Sequence, residues 1–115
     1  MLPAYNARKE GADMEITVTS TLTEKVRNAL RISNTSEAIT EEINDTIEAC
    51  LQDLSAQGVV KLDQDDALII RAVKLYARSE FNYNGKAEQF RNSYDMQKMS
   101  LALDIDYNTA PESEG

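Results

Sequence analysis

A chain of 115 residues forms one domain with room for a hydrophobic core, yet at this size folding buries only about two-thirds of the unfolded surface, so assembly would help it. Twenty acidic against twelve basic side chains give a net charge of -8, which argues against general nucleic-acid binding through a basic surface. With no histidine, the commonest metal ligand, the usual general base and every His-dependent triad are missing, and the single Cys50 excludes an internal disulfide framework.

The first residues, MLPAYNARKEGAD, carry no periodicity and no apolar core of a signal peptide, and residues 1–14 read as an N-terminal extension, flexible or carried over from an upstream start. From Glu15 to Ser20, Ile16 and Val18 alternate with polar residues and predict a short extended segment. Thr21 followed by Glu24 matches a capping box, and Leu22, Val26, Ala29 and Leu30 recur at helical spacing, so a first helix is expected to run to about Arg31. The turn-forming run Ser33-Asn34-Thr35-Ser36 then lets the chain fold back.

A second helix is predicted from about Glu37 to Gln57. Its inner face carries Ile39, Ile43, Ile47, Cys50, Leu51 and Leu54, and its outer face Glu41, Glu42, Asp45, Glu48, Gln52 and Asp53. Ser36 and Thr40 both qualify as its cap, and Gly58 is placed to end it. Cys50 reads as a small buried hydrophobe. Val59, Val60 and Leu62 form an apolar connector that could pair with Ile16 and Val18 or cap the core. Asp63-Gln64-Asp65-Asp66 fails as a calcium loop, because Leu68 and Lys74 stand where glycine and a bidentate glutamate are needed, and fits an acidic helix start.

Asp65–Phe81 is expected to be the central helix. Ala67, Leu68, Ile69, Ile70, Ala72, Val73, Leu75, Tyr76, Ala77 and Phe81 cover most of its circumference and call for neighbours on nearly every side, either within the domain or from a partner subunit that shares the helix. Arg71, Lys74 and Arg78 form one narrow basic ridge on it. The ridge reads either as a solvated edge paired with carboxylates or as a track offered to an acidic partner or a phosphate backbone. Asn82-Tyr83-Asn84-Gly85 ends the helix, and a fourth follows from Lys86 to Leu103 with Ala87, Phe90, Tyr94 and Leu101 on one row and Met96, Met99 and Leu103 on another. The methionines read as core filler or as an adaptable partner surface. From Asp104 the pattern fades, and residues 108–115 read as an acidic flexible tail.

The fold expected is therefore all-α, a small bundle of about four helices. Its core is expected to hold Ile43, Ile47, Leu51, Leu54, Ile69, Val73, Tyr76, Phe90 and Tyr94. Paired acids (Glu41 with Glu42, Asp65 with Asp66, Asp104 with Asp106) sit on solvated turns with nothing to push their environments apart, and no phosphate loop, nucleophile elbow or Cys/His spacing occurs. An enzyme is not expected, nor a cofactor or metal. No run approaches a transmembrane span.

The order of elements resembles a known family. The acidic helix ending in a Gly-Val turn (AITEEINDTIEACLQDLSAQGVV), the apolar helix (DDALIIRAVKLYARSEFN) and the tyrosine-bearing last helix (FRNSYDMQKMSLALDIDY) look like the small head-tail connector proteins of long-tailed bacteriophages, over about Met14 to Tyr107, with 15–107 as the connector domain. That resemblance implies a subunit of a ring, typically dodecameric, under the portal vertex of a filled head, assembled in the bacterial host cytoplasm and carried in the virion. Its implied partners are the portal protein and a stopper or tail-completion protein, with DNA passing through the channel without sequence-specific binding. Arg71, Lys74, Arg78, Met96 and Met99 are the candidate subunit or partner interface. Two other readings remain: a small helical regulatory or protein-interaction module, and a DNA-binding domain using the basic ridge.

Overall fold

In the computed structural model, which describes residues 16–110, the chain is all-helical, with no strand among the described residues. The helices are α1 (Ser20–Ala29), α2 (Glu37–Ala56), α3 (Ala67–Glu80), α4 (Ala87–Leu103) and the short α5 (Ile105–Asn108). A single 3-10 turn, Tyr83–Gly85, joins α3 to α4. The expected extension, residues 1–14, lies outside the described residues.

Local chemistry explains where each helix begins. Thr19, in extended backbone, caps α1 by accepting from the Leu22 amide at 3.1 Å. The Thr21–Glu24 capping box is therefore not used, and Glu24 instead meets the guanidinium of Arg27. Of the two candidate caps for α2, Ser36 takes the role through the Ile39 amide. Asp66 caps α3 by accepting from Leu68 and Ile69, at 2.9 and 3.3 Å. Asn82 closes one turn and opens the next: its backbone is left-handed (φ 51°), and its side chain accepts from the amide of Ala87 at the start of α4.

Two helices end in the same motif. At the end of α2, Gly58 (φ 103°) lets its own amide reach Ser55 and the Val59 amide reach the Leu54 carbonyl, while Val59 and Leu54 are both buried. At the end of α1, Arg31 takes the equivalent left-handed position (φ 58°), with Arg31 bonded to Asn28 and Ile32 to Arg27. An arginine there bears a strain that glycine would not.

The core collects Leu22 and Val26 of α1, Ile43, Ile47, Cys50, Leu51 and Leu54 of α2, Val59 of the connector that follows, Ile69 and Val73 of α3, and Tyr94 and Leu101 of α4. Fully burying each large aliphatic side chain contributes about 1.5 to 3 kcal/mol, so this cluster carries most of the favourable folding energy. Two of the expected core residues differ. Tyr76 and Phe90 are half-buried and pack against the core edge, because cations cover their outer faces. The Arg91 guanidinium sits 4.7 Å over the Tyr76 ring, and that of Arg78 sits 5.8 Å over Phe90.

Helix α3 packs against α1, α2 and α4, but its envelope is less complete than its composition suggests. Ile69, Ala72, Val73, Leu75, Ala77 and Ser79 are buried, whereas Ala67, Leu68 and Arg71 are exposed and Ile70 is half-buried. Within the chain the helix therefore has fewer neighbours than its apolar content calls for. The extended segment before α1 finds no backbone partner among the described residues either. The Gln64 side chain serves instead, donating to the Thr17 carbonyl and accepting from the Thr19 amide, both at 2.9 Å. Of the two roles expected for the connector Val59, Val60 and Leu62, capping the core is the one seen: Val59 is buried in it, and the amides of Val60 and Lys61 donate to the carbonyl of Tyr107. The chain therefore does not fade at Asp104: α5 continues it, Tyr107 is buried, and Asn108, placed in the flexible tail by its sequence, donates to the Ala102 carbonyl at 2.9 Å. Residues 111–115 lie outside the described residues.

Candidate functional site

Three of the paired acids do structural work. Asp66 and Asp104 are N-caps, and Asp106 lends its amide to the Asp104 carboxylate. Among the described residues no cluster of carboxylates and cysteine is arranged to hold a metal ion, and no helix is long and apolar enough to cross a membrane. Cys50 is fully buried with its Sγ 4.0 Å from the Ala72 carbonyl, and burial pushes its thiol up to about 12, far from a reactive thiolate. What the molecule offers to others is surface.

The basic ridge of α3 borders a shallow groove of about 280 Å³ lined by Ala67, Ile70, Arg71, Lys74, Leu75 and Arg78. Its three cations have different fates. Arg78 donates twice to the Ala29 carbonyl, at 3.3 Å, where the negative end of α1 favours a cation, and lies over the rings of Tyr83 and Phe90. Arg71 reaches only the Gln97 amide oxygen at 3.3 Å, and is exposed. Lys74 has no side-chain partner among the described residues. None of the ion pairs among the described residues includes a ridge cation, so the ridge does not meet Glu41, Glu42, Asp45 or Asp53 within the chain.

Helix α2 is the ridge's electrostatic opposite. Its sequence holds Glu37, Glu41, Glu42, Asp45, Glu48 and Asp53 and no lysine or arginine. Glu37, Glu41, Glu42 and Asp45 are exposed. Among the described residues only Asp53 of these is paired, with Lys98 of α4 at 2.9 Å, and it also accepts from the hydroxyl of Tyr94 at 2.7 Å. Desolvation raises its carboxyl, but the Tyr94 and Lys98 hydrogen bonds outweigh it and hold the group below the ordinary range.

The third surface is apolar. Met96, Met99 and Leu103 of α4 and Ile105 of α5 are 72, 61, 77 and 71% exposed. The first three stand at i, i+3 and i+7 on one face of α4, so the methionines belong to an outer row and not to the core. The spacing of Leu103 with Met96 and Met99 already marked this row. Ile105 was missed because it lies in the segment read as tail. That segment is fixed by Tyr107, whose hydroxyl donates to both oxygens of Asp66 at 3.0 Å while Lys61 reaches the same carboxylate at 3.1 Å and stands 5.0 Å over the Tyr107 ring. The N-terminus of α3, the 59–62 connector and α5 are thus tied at one end of the bundle, which also exposes Val60 and Leu68. A monomer gains nothing from such a row in water, and unpartnered apolar rows of this kind mark interaction sites.

Comparison with known proteins gives one finding. The sequence family described as phage connector protein matches residues 22–108, the span from the first turn of α1 to the end of α5. No match was found among curated proteins or among solved structures.

Proposed function

The chain belongs to the phage connector protein family, and from that premise we propose that it is a structural component of the virion that sits as a ring at the portal vertex, joins head to tail and completes DNA packaging. Its partners on this reading are the portal protein on one side and a stopper or tail-completion protein on the other. The observation that carries the reading is the exposed row Met96, Met99, Leu103 and Ile105, an apolar surface at one end of a small acidic bundle that a neighbour has to cover. The net charge of -8 suits a wall past which DNA slides without sticking. The ridge supports duplex binding poorly: Arg78 is engaged with Ala29, Tyr83 and Phe90, which leaves two cations, whereas phosphate-driven binding rests on several simultaneous contacts.

The test is the mass of complexes formed with the cognate portal protein. Wild type should join the portal in several copies, and the variant Met96→Ser/Met99→Ser/Leu103→Ser should remain helical and bind at least about tenfold more weakly. A wild type that ignores the portal and instead binds duplex DNA with a steep salt dependence would overturn the proposal.

A further inference from the structure

We propose that the groove along α3 is the docking site for a second copy of this chain, which inserts the acidic outer face of its α2 against Arg71 and Lys74. This rests on the connector reading and names the contact by which copies adjoin. The two surfaces lie on different helices, and each helix turns its apolar side to the shared core: Cys50 of α2 meets the Ala72 carbonyl of α3, with Ile43, Ile47, Ile69 and Val73 buried around them. The ridge positions lie opposite the buried side of α3, and Glu37, Glu41, Asp45 and Glu48 lie opposite that of α2. One copy therefore presents negative charge on one flank and positive charge on another.

Such a pair of unlike, mutually complementary surfaces makes a head-to-tail contact, and head-to-tail contacts with a closing rotation make rings. The dimensions agree. At a rise of about 1.5 Å per residue, Arg71 to Arg78 spans about 10 Å and Glu37 to Glu48 about 16 Å, so one acidic row covers the ridge. Chemistry within the chain leaves both rows available. Lys74 has no side-chain partner among the described residues, Arg71 has only a neutral amide, and Glu37, Glu41, Glu42 and Asp45 enter no ion pair among them. Bringing the rows together replaces like-charge repulsion along α2 with attraction across the contact. Arg78 shapes the rim of the groove and stays with Ala29.

Charge reversal tests this. One variant carries Arg71→Glu and Lys74→Glu, a second Glu41→Lys and Asp45→Lys, and a third all four changes; Arg78 is left intact because it supports the fold. Circular dichroism first establishes that each remains helical. Assembly is then followed by mass measurement, alone at high protein concentration and with the cognate portal. Each two-site variant should lose self-association by at least about tenfold. Mixing the two should restore it, because reversed and native surfaces then alternate around an even-numbered ring, and the four-site variant should assemble by itself whatever the ring number. Wild-type assembly should weaken as salt rises. If wild type joins the portal in several copies and both two-site variants do so equally well, the connector reading stands and this contact is wrong. If neither mixing nor the four-site variant restores assembly, the acidic row is not the occupant of the groove. A wild type that associates neither with itself nor with the portal overturns both.

Discussion

Two places in this bundle use the same three chemical groups. Asp53 accepts from the hydroxyl of Tyr94 and the ammonium of Lys98, which stands 5.2 Å over the Tyr94 ring; Asp66 accepts from Tyr107 and from Lys61, which stands 5.0 Å over the Tyr107 ring. The difference is what each tyrosine is packed in. Tyr94 is fully buried between α2, α3 and α4, meets Tyr76 edge-on at 5.0 Å and is surrounded by core, so its polar contacts sit on top of a large apolar burial. Tyr107 lies at the rim and holds only the turn of α5 against the connector and the cap of α3. One cluster holds the fold together, and the other holds the end of the molecule that displays Leu103, Ile105 and Val60.

The largest expected effect is at the inner cluster. Tyr94→Ala should cost about 3 to 5 kcal/mol in denaturant unfolding, as large aromatic truncations in cores do, a large part of a small domain's stability. A loss below about 1 kcal/mol would mean that Tyr94 is not the keystone its burial implies. Acid should separate the clusters from the rest of the core. Both carboxyls are held below the ordinary range, Asp53 by Tyr94 and Lys98 and Asp66 by Lys61, Tyr107 and the Leu68 and Ile69 amides, in each case against a desolvation that raises them. Their folded values lie below the unfolded value of about 3.9, so their stabilisation is complete above about pH 4 and is lost as the pH falls through the lowered folded values. Urea midpoints should drop from pH 5 to pH 2.5, and Asp53→Asn, weaker at pH 5, should show a shallower drop. An equal drop in wild type and variant would remove Asp53 from this account.

Removing only the hydroxyls sharpens the comparison. Tyr94→Phe should cost about 1 kcal/mol globally, since it leaves the half-exposed Asp53 with Lys98. Tyr107→Phe should instead leave the unfolding midpoint nearly unchanged while the amides of Val60 and Lys61, which donate to the Tyr107 carbonyl, exchange faster. If Tyr107→Phe unfolds the whole domain as readily as Tyr94→Phe, the rim is not a separate unit.

Much of this was legible in the sequence. Apolar spacing located all four long helices, and the buried set Ile43, Ile47, Leu51, Leu54, Ile69, Val73 and Tyr94 follows from it because helical periodicity and burial express the same geometry. What escaped were contacts made by polar groups far apart in the chain. Periodicity cannot show that the Gln64 side chain would pair with Thr17 and Thr19, or that Tyr107 would reach back to Asp66 and Val60 and so carry a helix into a stretch that looks like tail. Nor does composition distinguish an apolar helix enclosed on all sides from α3, whose ridge side is left open between α1 and α4. The basic ridge was visible; its lack of an intrachain carboxylate was not.

Effects of about 1 kcal/mol or less are also expected at the two matched helix ends. Gly58 at φ 103° has open space where a side chain would begin, so Gly58→Ala should cost about 1 kcal/mol from backbone strain alone. Arg31→Gly at the equivalent position of α1 relieves that strain and should stabilise by up to about 0.5 kcal/mol after the added freedom of the unfolded chain is deducted. Thermal midpoints that move in the same direction for both substitutions would contradict the shared motif.

If the rim end of the bundle is a partner surface, a bound partner must slow its backbone exchange. Hydrogen exchange of the protein free and in complex with the cognate portal tests it most directly, read on peptides covering residues 96–108 and 59–62. Both segments should exchange more slowly in the complex, while the buried core of α2 and α3 changes little. Unchanged exchange across 96–108 in a complex that has demonstrably formed would contradict it.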